Sequence, residues 1–262
     1  MSRGFSAERH PPVKKNIFGI AVAFVLLSAL ATTMAQKVEK KWTEWSKKDA
    51  QEILDKSPWA QSQTETDASE QMFSPTSDPR LSSNRTTSND NSRLNQGATN
   101  QATNVTYYVR FFSARPIRQA LARQIELGGT LKGDQLAKLH NFAEVKSETA
   151  IIVTVTFKGA SGADQRSINP VMQAFNSAAT GPLKNTSYLQ RSDGKQLFLE
   201  EYVPPGKDGF GARFIFRRLP DEKPFIDASS KEIRFFAQVS GSIKIDRRFK
   251  VADMMYQGEL EY

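Results

Sequence analysis

Six arginines are the residues of this sequence best placed to recognise another molecule. Four of them lie in predicted C-terminal strands: Arg213, Arg217, Arg234 and Arg247. The other two, Arg115 and Arg118, lie in a predicted helix. A guanidinium group donates hydrogen bonds in a planar fork that matches carboxylate and phosphate oxygens. The six arginines therefore form the candidate surface for an anion or a partner protein.

The two groups differ in their sequence context. Arg115 and Arg118 are three residues apart and share a helix face. That face is either a site for phosphate, carboxylate or an acidic glycan, or an ordinary solvated surface. In the strands, Arg213 and Arg217 alternate with Phe214 and point away from it, whereas Arg247 shares the parity of Ile245 and faces outward only if its strand ends or bulges there.

Carboxylates offer a second kind of chemistry. Glu200 and Glu201 are adjacent in a predicted strand, so their side chains face opposite sides and cannot form a catalytic pair alone. The other candidates lie in predicted loops: Asp164, Asp208, Asp221, Glu222 and Asp227. Only the fold can bring two of them to the separation that a glycosidase uses. A carboxylate-based hydrolase is therefore an alternative that the sequence leaves open.

Composition excludes several other chemistries. The 262 residues contain no cysteine, which excludes disulfides, thiol nucleophiles and thiolate metal sites. The two histidines are His10 and His140, and a chain that loses its N-terminus retains only one, too few for a multi-histidine zinc site. We find no phosphate-binding loop and no calcium-binding loop. We expect no cofactor and no metal, and an enzyme is the less favoured interpretation.

The N-terminus has the layout of an export signal. Basic residues precede an apolar run, Ile17 to Leu30, and small residues follow to Ala35. Residues 1–35 are either a cleaved signal peptide or an uncleaved anchor, since the apolar stretch is nearly long enough to span a bilayer. Either interpretation places the C-terminal domain outside the cytoplasm, in the periplasm or the extracellular space, or anchored to the inner membrane.

The net charge of the chain bears on its partners. The chain carries +8, of which +3 belongs to residues 1–35. The modest remainder suits solubility or weak attraction to an anionic envelope surface, and export argues against a nucleic-acid partner.

Two segments precede the predicted folded domain. Residues 36–60 contain a short amphipathic helix with Ser46 as its N-cap, and Trp59 anchors the following turn. Trp42 and Trp45 begin an apolar stripe at helical spacing, which continues through Ala50, Ile53 and Leu54. The three tryptophans either fix this helix to the core or contact a ligand. In residues 61–104, 26 of 44 side chains are Ser, Thr, Asn or Gln, so we predict a disordered tract.

Residues 105–262 carry the signals of a folded domain. A strand begins at Val105, and its apolar face carries Val105, Tyr107, Val109 and Phe111. It is followed by a helix capped by Ser113, a second helix from Asp134, and a central strand from Thr149 to Lys158. Asn169-Pro170 predicts the start of another helix. The sequence therefore begins as strand, helices, strand and helix.

The C-terminal part predicts a meander of hairpins. Asp193-Gly194 favours a tight turn between two strands, the second running from Gln196 to Tyr202. Three further strands precede an edge strand from Met254 to Tyr262. Their alternating apolar residues are Phe210, Ala212, Phe214 and Phe216 in the first, Ile233, Phe235, Ala237 and Val239 in the second, and Ile243, Ile245 and Phe249 in the third. The fold class is therefore α+β, with a mainly antiparallel sheet and two or three packed helices behind an N-terminal hydrophobic export segment.

If the meander forms one sheet, it has an apolar face and a basic face. The basic face carries the strand arginines and is crossed by Tyr202 and Tyr256. Such a face can bind a polyanion or a protein, although charged outer faces are ordinary in antiparallel sheets.

Three stretches resemble a family of exported bacterial proteins without an assigned role. They are WSKKDAQEILDKSPWA at 45–60, YVRFFSARPIR at 108–118 and FKVADMMYQGELE at 249–261. The resemblance implies that the helix, the sheet and the C-terminal strand belong to one domain interrupted by the polar tract. It supplies no catalytic residue.

We therefore expect an exported cell-envelope protein with a non-catalytic binding domain. Its expected partner is a protein or an anionic envelope polymer, and also the membrane if residues 1–35 are retained. The alternatives are a single-pass accessory subunit of a membrane complex and the carboxylate-based hydrolase.

Overall fold

The computed structural model describes residues 40–67, 103–159 and 165–262. The predicted export segment, and the polar tract between residues 68 and 102, lie outside these ranges. In the three described ranges, no helix combines the length and the apolar character needed to cross a membrane.

The chain divides into two compact units, Met1–Trp45 and Ser46–Tyr262. In the first unit, the described residues form a 3-10 helix at Trp42–Glu44. Trp42 and Trp45 therefore do not continue the stripe of the helix that follows, and that part of the prediction is wrong.

The described part of the second unit is α+β, as predicted, and all of its strand pairs are antiparallel. Its α-helices are α1 (Lys47–Lys56), α2 (Arg115–Leu127), α3 (Asp134–Glu144), α4 (Gln165–Ser177) and the short α5 (Thr180–Leu183). Its strands are β1 (Ala60–Asp67), β2 (Thr103–Phe111), β3 (Ala150–Gly159), β4 (Ser187–Arg191), β5 (Gln196–Phe198), β6 (Glu201–Val203), β7 (Ala212–Arg217), β8 (Glu232–Gln238), β9 (Lys244–Lys250), β10 (Met255–Tyr256) and β11 (Glu259–Leu260). Helices α1 to α4 were predicted, α1 in residues 36–60 and the other three in the folded domain, and the short α5 is additional.

Helix α1 begins at a capping box. The Ser46 hydroxyl accepts a hydrogen bond from the Asp49 amide at 3.1 Å, and the Asp49 carboxylate accepts one from the Ser46 amide at 3.1 Å. Two otherwise unpaired main-chain donors are satisfied in this way, which confirms Ser46 as the N-cap.

Replacing Ser46 by alanine is expected to lower the free energy of unfolding by about 1 kcal/mol, because the first turn of α1 loses its acceptor. Urea denaturation of the purified protein measures the change. Ser192→Ala, at an exposed position in a turn, is the control and should leave the midpoint unchanged. Equal midpoints for both variants would contradict the capping role.

The larger sheet, sheet A, has the order β1-β2-β3-β7-β6. Strand β3 lies at its centre, as the β-branched run predicts. Strand β1 occupies its edge and pairs with β2. The prediction of disorder from residue 61 is therefore wrong for residues 61–67, and Thr103 begins β2.

Strand β1 forms despite its polar composition because its side chains find polar partners. The Gln63 amide donates to the Lys244 main-chain oxygen at 2.7 Å and accepts from the Asp246 amide at 2.9 Å. It thereby pairs with the outer edge of β9 as a peptide group would. Thr64 and Thr106 form a cross-strand hydroxyl contact at 2.9 Å.

The smaller sheet, sheet B, has the order β5-β4-β8-β9, so the predicted single meander is wrong. The residues that alternate in β8 and β9 were assigned to the correct face, and Ile233, Phe235, Ala237, Ile245 and Phe249 are all fully buried. The Asp193-Gly194 turn joins β4 to β5 as predicted, with Gly194 at φ 88°.

The predicted strand from Gln196 to Tyr202 is divided between the two sheets. The Leu199 amide donates to the Ser187 main-chain oxygen in sheet B at 3.1 Å, and the Glu200 amide donates to the Ile215 main-chain oxygen in sheet A at 2.9 Å. We call this crossing point the seam. It joins the two sheets along one side.

Aromatic rings fill the space between the sheets. Phe111 and Phe249 meet edge to face at 4.8 Å, and Phe214 and Phe235 do so at 5.3 Å. Each pair joins sheet A to sheet B, and all four side chains are fully buried. Large aromatic surfaces of this kind supply much of the hydrophobic stabilisation that a protein without disulfides requires.

Helix boundaries depart from the predictions at two places. The N-cap of α2 is Ala114, and the Ser113 hydroxyl instead accepts a hydrogen bond from the Ile152 amide at 3.0 Å. Helix α4 begins at Gln165 and contains Pro170, which was predicted to open the helix.

The C-terminus also departs from its prediction, because it forms the two-stranded β10-β11 hairpin instead of one edge strand. Its turn contains Gln257 and Gly258, both at positive φ.

Candidate binding groove and the arginine network

A groove of about 600 Å³ opens at the seam. We call it the seam groove, and its walls include Lys184, Phe198, Glu200, Arg217 and Asp221. The contributing elements are the residues after α5, the β5–β6 crossing, the end of β7 and the following turn. Its volume lies within the range typical of small-ligand sites, and it mixes apolar and polar groups as such sites do.

Phe198 is the largest apolar side chain in this groove and is 50% exposed. Its ring meets Tyr188 at 6.0 Å with an interplanar angle of 66°. Tyr188 in turn stacks on Phe236 at 5.0 Å and 19°. Three neighbouring strands, β5, β4 and β8, thus carry one aromatic row on the outer face of sheet B.

Cations cover the far end of this row. The Arg234 guanidinium carbon lies 5.3 Å and the Lys244 ammonium nitrogen 5.2 Å from the centre of the Phe236 ring. These distances are typical of cation–π contacts. Phe236 and Tyr188 are therefore held on both sides, and Phe198 is the ring of the row with most surface open to solvent.

The opposite wall of the groove has an unusual backbone. The 3-10 turn Pro220–Glu222 places Asp221 at φ 56° and Glu222 at φ 61°. Two consecutive non-glycine residues in the left-handed region are uncommon, and each such residue costs about 1 kcal/mol or more. Conformations of this kind cluster at functional sites, where a side chain must be held in one place.

Charges in the groove balance. Arg217 donates to the Glu200 carboxylate at 2.9 Å, and both side chains are exposed. Lys184 and Asp221 contribute one further charge of each sign. The groove therefore offers donors and acceptors without a net charge, so the sequence-predicted Arg217 lies in a groove but not on a basic surface.

Arg213 shares strand β7 and its outward parity with Arg217, whereas Arg234 and Arg247 lie in the other sheet. Arg213 lies in β7 of sheet A and donates to Asp208 at 2.8 Å. Arg234 lies on the outer face of sheet B. Arg247 has the inward parity of β9 and lies opposite Phe235 in register. The predicted common basic face is wrong, because the chain changes sheets at the seam and Arg247 follows its parity.

Arg234 is already bound to a carboxylate. Its Nε and Nη2 atoms donate to the two Asp246 oxygens at 2.7 and 2.6 Å. These hydrogen bonds are the main cause that lowers the pKa of the Asp246 carboxyl below its ordinary value. A small pocket of about 190 Å³ nearby is lined by Arg191, Arg234 and Arg248, and Arg248 is paired with Glu232 at 2.8 Å.

Arg118 is a buried structural residue, so neither the anion site nor the solvated face predicted for it is correct. It is 4% exposed. Its guanidinium donates to the main-chain oxygens of Ser113 and Val145, and to that of Phe142 at 3.2 Å. The pKa of Arg118 is lowered, mainly by burial.

Arg115 binds the C-terminal part of the chain. Its guanidinium lies 3.0 Å from the Glu261 carboxylate, and its main-chain amide donates to the same carboxylate at 3.1 Å. Glu261 is 2% exposed. The predicted helix site therefore exists as a cation–carboxylate pair, but the carboxylate belongs to this chain.

Neighbouring groups complete this network. Trp59 donates from its indole nitrogen to the Glu261 main-chain oxygen at 2.7 Å, and Arg218 donates to that of Tyr262 at 2.7 Å. Trp59 thus fixes the segment after α1 to the core, which agrees with the structural interpretation of this tryptophan.

Tyr202 and Tyr256 do not cross a basic face. The Tyr202 hydroxyl donates to the Phe175 main-chain oxygen at 2.6 Å, and the Tyr256 hydroxyl donates to Gln119 at 2.7 Å. Both side chains are buried, and burial raises the pKa of Tyr256 to about 12. They are core residues with satisfied hydroxyl groups.

Metal-binding groups are not clustered in the part of the chain that the structure describes: no three His, Cys, Asp or Glu residues there could hold an ion together. His140 lies in α3, half-exposed, with its Nε2 atom 3.5 Å from the Glu126 carboxylate.

Sequence reasoning missed Phe198 and Asp221 as groove residues. The one available signal for Phe198 is its parity, since it alternates with Leu197 and shares its side of the strand with Gln196. An aromatic residue on the polar side of a strand is a candidate surface contact. Nothing local marks Asp221, because its position depends on how the turn packs against the seam.

Comparison of the chain with known protein families, with curated proteins and with solved structures found no match. The candidate site therefore stands on its own geometry.

Proposed function

We propose that this protein is an exported, non-catalytic binding protein of the bacterial cell envelope, and that the seam groove is its binding site. The proposal retains the prediction that residues 1–35 direct export, with either a cleaved signal or an uncleaved anchor. The observation that carries the binding role is Phe198, an apolar ring half-exposed in a groove and held there by other aromatic rings.

Several large apolar side chains are similarly exposed in the described part of the chain, and Phe198 is the one among them that lines the seam groove. Phe198 lies in β5, an end strand of sheet B. A large apolar side chain at a sheet end favours unwanted association between copies, so native proteins usually place charged residues there. A ligand that covers the ring explains its position.

The hydrolase alternative is less well supported by the groove. Glu200 and Asp221 are the two carboxylates that line it. Glu200 is held by Arg217 and is exposed, and Asp221 is exposed as well. A general acid needs an apolar surrounding that favours its protonated form. We therefore propose binding and not hydrolysis.

Envelope binding tests this proposal. Full-length protein is produced in bacteria and fractionated, and purified protein is then sedimented with isolated envelope material. We expect recovery in the periplasmic or envelope fraction and retention that falls at least about tenfold in Phe198→Ala, because a central aromatic contact is lost.

Met172→Ala is the matched control, since Met172 is similarly exposed, at 45%, but lies in α4 outside the groove. It should bind as the unchanged protein does. Intact-mass measurement shows whether residues 1–35 are removed, which distinguishes a soluble protein from an anchored subunit. Recovery in the cytosol with Met1 intact, or equal retention of both variants, would overturn the proposal.

A further inference from the structure

We infer that the seam groove binds a neutral glycan, with one sugar ring stacked on Phe198 and its hydroxyl groups bonded to the polar walls. This inference rests on the proposed binding role of the groove and names the chemistry of its ligand. It replaces the anionic polymer expected from the sequence.

Charge balance argues for a neutral ligand. Lys184 and Arg217 are offset in the groove by Glu200 and Asp221. A polyanion would have to displace Glu200 from Arg217 and would still face Asp221. Complementary potentials decide which partners are rejected, so this arrangement disfavours long acidic polymers.

The nearby outer face of sheet B leads to the same result. Arg234 is bound by both oxygens of Asp246, and Arg248 is paired with Glu232. Neither arginine is a free cation for an acidic polymer that leaves the groove along this face.

The shape and chemistry of the walls match a sugar. A pyranose has apolar C–H faces and a rim of hydroxyl groups, each of which both donates and accepts hydrogen bonds. Phe198 offers the apolar surface, while Asn185 and the Glu200–Arg217 pair offer donors and acceptors. Because Tyr188 and Phe236 stack on each other, Phe198 provides the stacking position. The volume of about 600 Å³ suits a short oligosaccharide.

The groove is held in shape before a ligand arrives. Phe198 packs against Tyr188, and Tyr188 packs against Phe236. On the other wall, Asp221 and Glu222 lie in a turn whose backbone is left-handed at both positions. Preorganised groups lose little conformational entropy on binding, which matters most for a solvent-exposed ligand with many hydroxyl groups.

A peptide added as a further strand is disfavoured at two sheet edges, those of β6 and β9, because polar side chains already cover them. The Thr180 hydroxyl accepts from the Tyr202 amide at 3.0 Å and donates to the Tyr202 main-chain oxygen at 3.4 Å on β6. Gln63 covers the edge of β9 in the same manner. Strand addition needs unpaired main-chain groups at an edge.

Calorimetric titration of the full-length protein tests the inference with three probes. Chitotetraose and cellotetraose are neutral tetrasaccharides, and polygalacturonate is an acidic polymer. We expect saturable binding of at least one neutral probe, weakened at least about tenfold in Phe198→Ala and in Asp221→Asn, and unchanged in Met172→Ala.

Phe198→Trp provides a variant that keeps an aromatic face, and it should bind at least as tightly as the unchanged protein. Envelope retention that depends on Phe198, without binding of either neutral probe, would overturn the glycan and leave the proposed function standing. Tight binding of polygalacturonate that depends on Arg217 but not on Phe198 would also overturn it. If the unchanged protein neither is retained by envelope material nor binds a neutral probe, both proposals are rejected.

Discussion

Replacing Arg118 by methionine is expected to lower the free energy of unfolding by about 3–5 kcal/mol. The guanidinium is buried and donates to main-chain oxygens in the loop before α2 and in the segment at and after the end of α3. Methionine fills part of the volume but donates nothing. Buried acceptors are then left unsatisfied, and each costs about 1–3 kcal/mol. Urea or guanidinium denaturation, monitored by tryptophan fluorescence, measures the loss of stability.

Two further variants separate hydrogen bonding from charge. Arg118→Lys retains the positive charge but replaces the planar fork with one ammonium group, so it should recover only part of the lost stability. Arg217→Met removes an exposed arginine and should leave the denaturation midpoint unchanged. If Arg118→Met unfolds at the same denaturant concentration as Arg217→Met, then Arg118 is not the structural residue described above.

Replacing Gly211 by alanine is expected to lower the free energy of unfolding by about 3 kcal/mol. Gly211 has φ +81°, and a Cβ atom there would lie 2.6 Å from the Thr156 methyl group and closer still to the Val155 main-chain oxygen. The residue sits where β7 begins to pair with β3. Strain and steric overlap therefore act together at the centre of sheet A, and thermal unfolding should report both.

Gly241→Ala is the matched control, since nothing lies within 4 Å of the corresponding Cβ position and φ is not positive. Its stability should change by less than about 0.5 kcal/mol. A destabilisation of Gly211→Ala no greater than that of Gly241→Ala would show that β7 can move away from β3 at low cost.

Alternating sequence patterns predicted strand faces well. In β2, Val105, Tyr107, Val109 and Phe111 are buried as expected. In β8 and β9 the inward residues are also correct, and even Arg247 follows its parity. These predictions succeeded because successive side chains in a strand must point to opposite sides, whatever the partner strand is.

Sheet membership was not predictable in the same way. The run from Gln196 to Tyr202 reads as one strand, and its alternation gives no sign that the chain leaves sheet B at Leu199 and enters sheet A at Glu200. The decision depends on Ser187 and Ile215, which are distant in sequence from the crossing. Strand β1 was missed for a related reason, because its polar side chains are stabilised by partners near residues 106 and 244 to 246.

The arginines show the same limit at the level of the site. Spacing alone predicted that Arg115 and Arg118 share a helix face. It could not show that Glu261 forms an ion pair with Arg115, or that main-chain oxygens accept hydrogen bonds from Arg118. Equally, Phe198 and Asp221 line one groove although 22 residues lie between them in the sequence.

The amino-acid sequence by itself determined the absence of thiol chemistry, the strand faces, most helix positions and the α+β class, because these follow from composition and from contacts between near neighbours. The tertiary structure decided which strands share a sheet, which charges are already paired, and where a groove opens. Those outcomes depend on atoms brought together from distant parts of the chain, and local periodicity carries no information about such pairings.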